Sequence, residues 1–306
     1  MNARVAVAGQ IARDLVLLVD EVPDGGRSVA ARLRREMLGG KGANQAVSLA
    51  QLGADPALLA VTGDDSVADQ LLAQAARDGI DVSAVVRRRE TVTGLILELL
   101  DGRGHWRYVE HLPDAVLLTE ADVRAHADVL TAADAVLVQL QQPPTATLTA
   151  ARLAREAGRL VVLDGVPTDD GHRAALFAAA DVLRADDHET ELLTGVTAGD
   201  PERVRAVATD LLAAGPGLLV LGLGGAGNLA VWRDPRWGEG HLLVPLTAEH
   251  VVDTTGAGDA LVAALTVALL RGDPPPAAVR YAVAAAGATV GHPGGRPALD
   301  RAALTA

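Results

Sequence analysis

Residues 135–165 read AVLVQLQQPPTATLTAARLAREAGRLVVLDG. An apolar run, a proline-opened helical pattern and a second apolar run follow one another. AVLVQL and RLVVLDG have no polar side, so each reads as a strand covered on both faces. TATLTAARLAREAG repeats its apolar positions at helical spacing. Strand, helix and strand in this order predict a parallel pair joined by a crossover helix.

The same rhythm extends outward. Toward the C-terminus, HRAALFAAA reads as a helix, DVLRA as a strand and DHETELLTG as a helix. PERVRAVATDLLAAG is a further helix and GLLVLGLG a strand. NLAVWRD and HLLVPL read as strands, and two Ala-rich helices close the chain, one from Gly256 and one over PPAAVRYAVAAAGATV. Toward the N-terminus, TEADVRAHADVL and DSVADQLLAQAARDG are helical, while RVAVAG and ALLAVTG are strands. ANQAVSLAQLG is a helix stopped by Gly53. The pattern predicts an α/β sandwich around a mostly parallel sheet, as a single domain over residues 1–306. Segments near 12–36 and 90–113 are out of phase with it. They alternate, and TVTGLILELL and GHWRYVEHL read as a hairpin around DGRG. They predict a second, smaller sheet.

Composition narrows the function. The chain has 306 residues, 49% of them hydrophobic, yet one Phe, three Trp and two Tyr. Its core is therefore built mostly from Ala, Leu and Val. A net charge of −12 argues against a nucleic-acid or anionic-membrane surface, which needs clustered Lys and Arg. The absence of cysteine excludes disulfides, zinc thiolates and a Cys nucleophile. No signal peptide is visible, and ALVAALTVALL is far shorter than the ~20 residues needed to span a bilayer. A cytoplasmic protein is expected.

Several motifs lead nowhere. GLGGAG, Gly222 to Gly227, fits G-x-G-x-x-G, but NLAVW follows where a dinucleotide site needs a helix. A glycine turn touching a nucleotide is the better reading. Lys41 is followed by Gly42, and Arg35 stands where a Walker A loop has its first glycine. The eight histidines contain no H-x-x-x-H pair, and no G-x-S-x-G occurs.

Two stretches carry chemistry. In DTTGAGDA, Asp253 to Ala260, Gly256-Ala257-Gly258 turns the backbone into a long helix. The first turn of a helix presents free N–H groups and the positive dipole end, which bind phosphate without a cation. Asp259 lies inside that turn. A carboxylate beside an anion site makes sense as the base that takes a proton from an attacking hydroxyl. A plain helix cap with an acidic first turn is the competing reading. In GGKGANQA, Gly39 to Ala46, glycines, Lys41 and Asn44 stand in front of another helix. By themselves they fit a phosphate, a sugar or a cap with a solvated lysine.

DTTGAGDA resembles the signature of the PfkB carbohydrate kinases, the ribokinase-like family, and GGKGANQA is similar to that family's N-terminal signature. The two occur in the family's order and separation. AVTGDD, the hairpin at 91–111, DHETELLTG and LGLGGAG extend the likeness over nearly the whole chain. The resemblance implies a three-layer α/β/α sandwich with a β lid, and a homodimer paired through the lids. It implies ATP-dependent phosphorylation of a hydroxymethyl group of a small sugar, D-ribose first, with Mg²⁺ and a monovalent cation such as K⁺. Asp259 would be the base, with Gly256, Ala257 and Gly258 as the anion hole. Asp14, Gly40, Lys41, Asn44 and Gln141 would hold the sugar. Asp186 and the turn containing Gly222, Gly224, Gly225 and Gly227 would lie along the nucleotide. Glu189 would organise magnesium through water. Asp253, the Thr255 carbonyl and the loop from Thr289 through His292 to Gly294 would hold the monovalent cation.

The chain departs from the pattern at Ala12, where an Asn is usual, and at Gln141, where a Glu is usual. Asp164 and Asp186 replace Asn, and Val283 and Ala298 replace polar residues. The first two touch the sugar shell, so the substrate is open to another sugar or a nucleoside. A non-catalytic sugar- or nucleotide-binding protein is the alternative from outside enzymes.

Overall fold

The structure, a computed structural model, describes residues 2–103, 105–247, 251–291 and 295–304. Strands β1 (Arg4–Ala8), β2 (Ala12–Leu18) and β3 (Leu33–Gly39) precede helix α1 (Lys41–Gln51). Then come β4 (Asp55–Gly63), α2 (Ser66–Arg77), β5 (Val85–Arg88) and the hairpin β6 (Leu95–Leu100) and β7 (Trp106–His111). After α3 (Glu120–Ala125) and α4 (Ala127–Thr131) the chain alternates through β8 (Ala135–Gln139), α5 (Pro144–Glu156), β9 (Leu160–Asp164), α6 (Asp170–Ala179) and β10 (Val182–Ala185). It continues through α7 (Asp187–Thr194), α8 (Pro201–Leu211) and β11 (Leu218–Gly222) to the pair β12 (Asn228–Asp234) and β13 (Gly238–Val244). Helices α9 (Ala257–Leu270), α10 (Pro275–Thr289) and α11 (Arg301–Leu304) follow.

The large sheet has the order β13-β12-β11-β10-β9-β8-β1-β4-β5. From β5 to β11 every pairing is parallel, and β12 and β13 add an antiparallel edge. Successive side chains of a strand point to opposite faces, so each parallel strand feeds two cores. Val5, Val7 and Leu137 pack under α1, α2, α9 and α10. Ala6, Ala8 and Val138 pack under α3 to α8. The three layers expected from the sequence are present.

Chain order explains where a site must lie. From β1 the sheet grows one way through β4 and β5, and the other way through β8 to β11. The crossovers on the two sides of β1 diverge and leave a crevice at the carboxyl ends of the strands. Gln10, Gln141, Asp164, Asp186 and Gly222 all stand at those ends. The second sheet, β3-β2-β6-β7, rises beside the crevice.

Two details differ from the sequence reading. TEADVRAHADVL is broken at His126, whose backbone leaves helical geometry and whose Nδ1 bonds the Asp122 carbonyl oxygen at 2.9 Å. The short strand β5 also pairs with β4, a pairing that four residues signal too weakly to be read from periodicity. As expected, GLGGAG leads into an antiparallel strand and not a helix.

Candidate active site

Helix α1 begins where it does because Gly40 adopts φ 86°, a left-handed conformation open to glycine. Gly42 then lies against the end of β1, since a Cβ there would meet the Gln10 backbone nitrogen at 2.7 Å. This close approach brings Lys41, Asn44 and Gln45 to the crevice. From the opposite side, Gly256 adopts φ 76° and starts α9. A Cβ on Gly256 would collide with the Gly295 carbonyl oxygen.

The two helix starts meet. Asn44 Nδ2 donates to Asp259 Oδ2 at 3.3 Å, and Gln45 Nε2 donates to Asp259 Oδ1 at 3.2 Å. Gln45 Nε2 also reaches Asp164 Oδ2 at 2.8 Å, and Asp164 Oδ1 accepts from Arg184 Nη1 at 3.1 Å. First-turn amides have no carbonyl one turn back within the helix. The Ala257 amide lies 3.3 Å from the Thr254 carbonyl oxygen, so Gly258 and Asp259 carry the less committed donors of the turn.

These groups open onto a cleft of about 700 Å³. One end is walled by Asp14, Gly40, Lys41, Asn44 and Gln141, the other by Asp186, Gly222, Gly224 and Gly227. Gly256 to Asp259 lie in its wall as well. Gly225 belongs to the same glycine turn without facing the cleft. Most of the residues expected to share a site are thus brought together from the ends of β8, β10 and β11, from β2 and from two helix starts.

The expected metal residues are dispersed. Asp186 caps α7 through the Glu189 amide at 2.8 Å, and Glu189 Oε2 accepts from the Asp186 amide at 2.9 Å. Asp253 is 1% exposed, and its Oδ1 accepts from the Thr255 amide at 2.9 Å and hydroxyl at 2.7 Å. Thr289 is buried and its hydroxyl donates to the Ala285 carbonyl oxygen, within its own helix. His292 and Gly294 lie outside the described residues. Among the described residues no three acidic or histidine side chains converge as a metal cage.

A family model described as pfkB family carbohydrate kinase matches residues 2–302. The chain belongs to that family. It is 29% identical to mouse ribokinase over 266 residues, covering 86% of this chain and 80% of that protein. It is 26% identical to a deoxyribokinase of Salmonella typhi, covering 84% of this chain and 83% of that protein. The solved structure of Arabidopsis thaliana ribokinase complexed with ribose and ATP superposes with a TM-score of 0.82 at 25% identity, covering all of this chain and 98% of that one. As a pfkB carbohydrate kinase, the protein is an ATP-dependent sugar kinase.

Within this pfkB kinase the electrostatics follow from burial. Asp259 is pushed up to about 7, first by burial and then by the charge of Asp164, while Lys41, Arg184 and the Asn44 hydrogen bond oppose the shift. Asp14 is likewise raised to about 7, by burial and by Asp259. A carboxylate with a pKa near neutrality is poised to accept and release a proton.

The lid contributes residues that the sequence reading did not single out. β6 and β7 pair so that Ile96, Glu98, Trp106, Tyr108 and Glu110 face the cleft. Glu98 is 3% exposed and its Oε1 has no partner. Burial and Asp253 raise it to about 8. Tyr108 bonds the Thr255 hydroxyl and ties the lid to the loop before α9. One signal for this was available: LILELL interrupts an apolar run with a single Glu.

The departures now have surroundings. Ala12 is fully buried on β2, opposite Gly39. Gln141 Oε1 accepts from Gln139 Nε2 at 3.3 Å, and Gln139 Oε1 accepts from the Gln10 amide at 2.8 Å. Val283 is buried in α10, whereas Ala298 is exposed.

Proposed function

We propose that the sugar is small, D-ribose first, and that its hydroxymethyl group receives the γ-phosphoryl group. The observation that carries this reading is Asp259, buried in the first turn of α9 and hydrogen-bonded by two amides of α1. It sits between the Lys41–Asn44 end of the cleft and the Gly222–Gly227 end.

Asp14, Lys41, Asn44 and Gln141 hold the sugar hydroxyls. Asp259 takes the proton of the attacking hydroxyl as its oxygen bonds to the γ-phosphorus and the bond to the β-phosphate oxygen breaks. The Gly258 and Asp259 amides receive the charge that spreads over the transferring group. Positioning and fixed dipoles supply most of the acceleration. The nucleotide lies along Asp186 and the glycine turn.

Mg²⁺ fits the donors present, because it is usually held by one or two carboxylates plus substrate phosphates and water. Asp186 and Glu189 offer those carboxylates at the nucleotide end. When bound, the ion neutralises charge on the phosphates. For a monovalent cation the described donors are the Asp253 carboxylate and the Thr255 carbonyl. The protein acts in the cytoplasm, where ATP is available.

The proposed homodimer rests on the outer face of the lid. Alternation sends Asp14, Glu98 and Tyr108 inward and Leu15, Leu17, Leu95, Leu97 and Leu99 outward. Val109, on the same outer face, is 58% exposed. Such an apolar stripe is expected to be covered by a partner.

A second reading, a nucleoside kinase, gains from Trp106 and Tyr108, whose rings lie 4.9 Å apart in the cleft wall. The deciding experiment is a coupled ADP-release assay with MgATP and K⁺ over ribose, 2-deoxyribose, hexoses and nucleosides. Highest kcat/KM on ribose supports the first reading. Preference for a nucleoside replaces it, and binding without turnover on every compound defeats the kinase assignment.

A further inference from the structure

Arg184 is an arginine in a strand whose other residues, Val182, Leu183 and Ala185, are apolar and fully buried. The residue is itself 8% exposed. An ion this deep is costly unless its charge has a use. Asp164 takes one of its donors, Nη1. A guanidinium has five N–H groups, and Nε has no partner.

The Nη1–Nη2 edge of the guanidinium faces Gly258 in the first turn of α9. A Cβ on Gly258 would stand 2.6 Å from Nη2 and 2.7 Å from Nη1. The cation therefore lies directly against the turn whose amides receive the transferring group. Arg184 also lies on the cleft wall beside Asp186.

Charge balance leads to the same place. The cleft that must hold a polyphosphate is lined by Asp14, Glu98, Glu110, Asp186, Asp187 and Asp259. Its cationic side chains, among the described residues, are Lys41 at the sugar end and Arg184 at the nucleotide end. Asp186 worsens the imbalance where a neutral Asn would not.

We propose that Arg184 is a phosphate-binding catalytic residue, donating from its cleft-facing edge to the oxygens of the transferring phosphoryl group at Gly258. Asp164 orients it through Nη1 and, through Gln45, links it to Asp259. The proposal rests on the kinase reading above.

The test compares wild type with Arg184→Met, Arg184→Lys and the double variant Asp164→Asn/Arg184→Met. Affinities for the non-hydrolysable β,γ-imido analogue of ATP and for adenosine are measured by calorimetry with Mg²⁺, and kcat by ADP release. Loss of a charged hydrogen bond to the γ-phosphate predicts binding of the imido analogue weaker by about tenfold or more in Arg184→Met, with adenosine affinity unchanged. kcat falls about 10²-fold. Arg184→Lys keeps the charge and loses the fork, so its kcat falls severalfold and its adenosine affinity holds. The double variant removes both ions of the pair and guards against misfolding around an unpaired Asp164. It stays as impaired as Arg184→Met.

Recovery of wild-type affinity for the imido analogue and of kcat in the double variant overturns the proposal, because Arg184 then merely neutralises Asp164. Equal loss of imido-analogue and adenosine binding in the variants, or no loss in any of them, overturns it too. Absence of turnover by wild type on every acceptor would instead refute the kinase reading.

Discussion

Asp259 carries the sharpest expectation at the scale of single residues. Its raised pKa means that the folded protein holds the proton up to about 7, whereas an unfolded chain releases it near 3.8. Two consequences follow with definite sign. As a base it must be unprotonated, so kcat/KM, which reports the free enzyme, should fall about tenfold per pH unit below about 7. A flat profile between pH 5 and 7 would reject the assignment. For stability the order is reversed from that of an ion-paired carboxylate. The contribution is present at low pH and is lost as pH rises from 3.8 through about 7. The melting temperature of Asp259→Asn relative to wild type should therefore climb between pH 5 and pH 8. At pH 8 the same variant should bind sugar normally while kcat drops ~10²–10⁴-fold. Asp259 was legible in DTTGAGDA because a glycine turn, a helix start and a carboxylate are neighbours in the chain. Arg184 and Glu98 were not. Each is an isolated charge in an apolar strand, and its meaning depends on which partners the fold places opposite it.

At the scale of elements, the site is made by two helix starts, each released by a left-handed glycine. Gly256 has two reasons to lack a side chain: its φ of 76° and the Gly295 carbonyl oxygen beside it. Gly256→Ala should cost ~1–3 kcal/mol through overpacking and strain. Because the first turn of α9 must shift to relieve the clash, kcat should fall more than sugar affinity. Unchanged melting and unchanged kcat would show that the turn is not held as described. The helix starts themselves were readable as GGKGAN and TTGAGD. Their meeting was not: hydrogen bonds from Asn44 and Gln45 to Asp259 join residues more than two hundred positions apart. Helix α4 shows the converse, since a periodicity that continues through His126 did not reveal the break that a ring-to-backbone bond stabilises there.

At the scale of the whole molecule, the lid has two faces with different tasks. The inner face closes the cleft with Glu98 and Tyr108, while the outer face presents the leucine stripe of β2 and β6. Leu97→Asp places a charge in the middle of that stripe and should convert a dimer into a monomer by light scattering at micromolar concentration. A wild-type monomer under the same conditions would remove the proposed dimer altogether. The sequence by itself determined the layered α/β architecture, the existence of a second small sheet, and the two glycine-marked stretches with Lys41, Asn44 and Asp259. It could do so because hydrophobic period, glycine turns and helix caps are local properties, written within a few residues of one another. The tertiary structure alone decided which strand ends converge, that Asp164 and Arg184 pair beside Asp259, and that Glu98, Trp106 and Tyr108 face the cleft. Those facts depend on strand order and register, which bring together residues from distant parts of the chain, and on burial, which sets their charge only after the fold has formed.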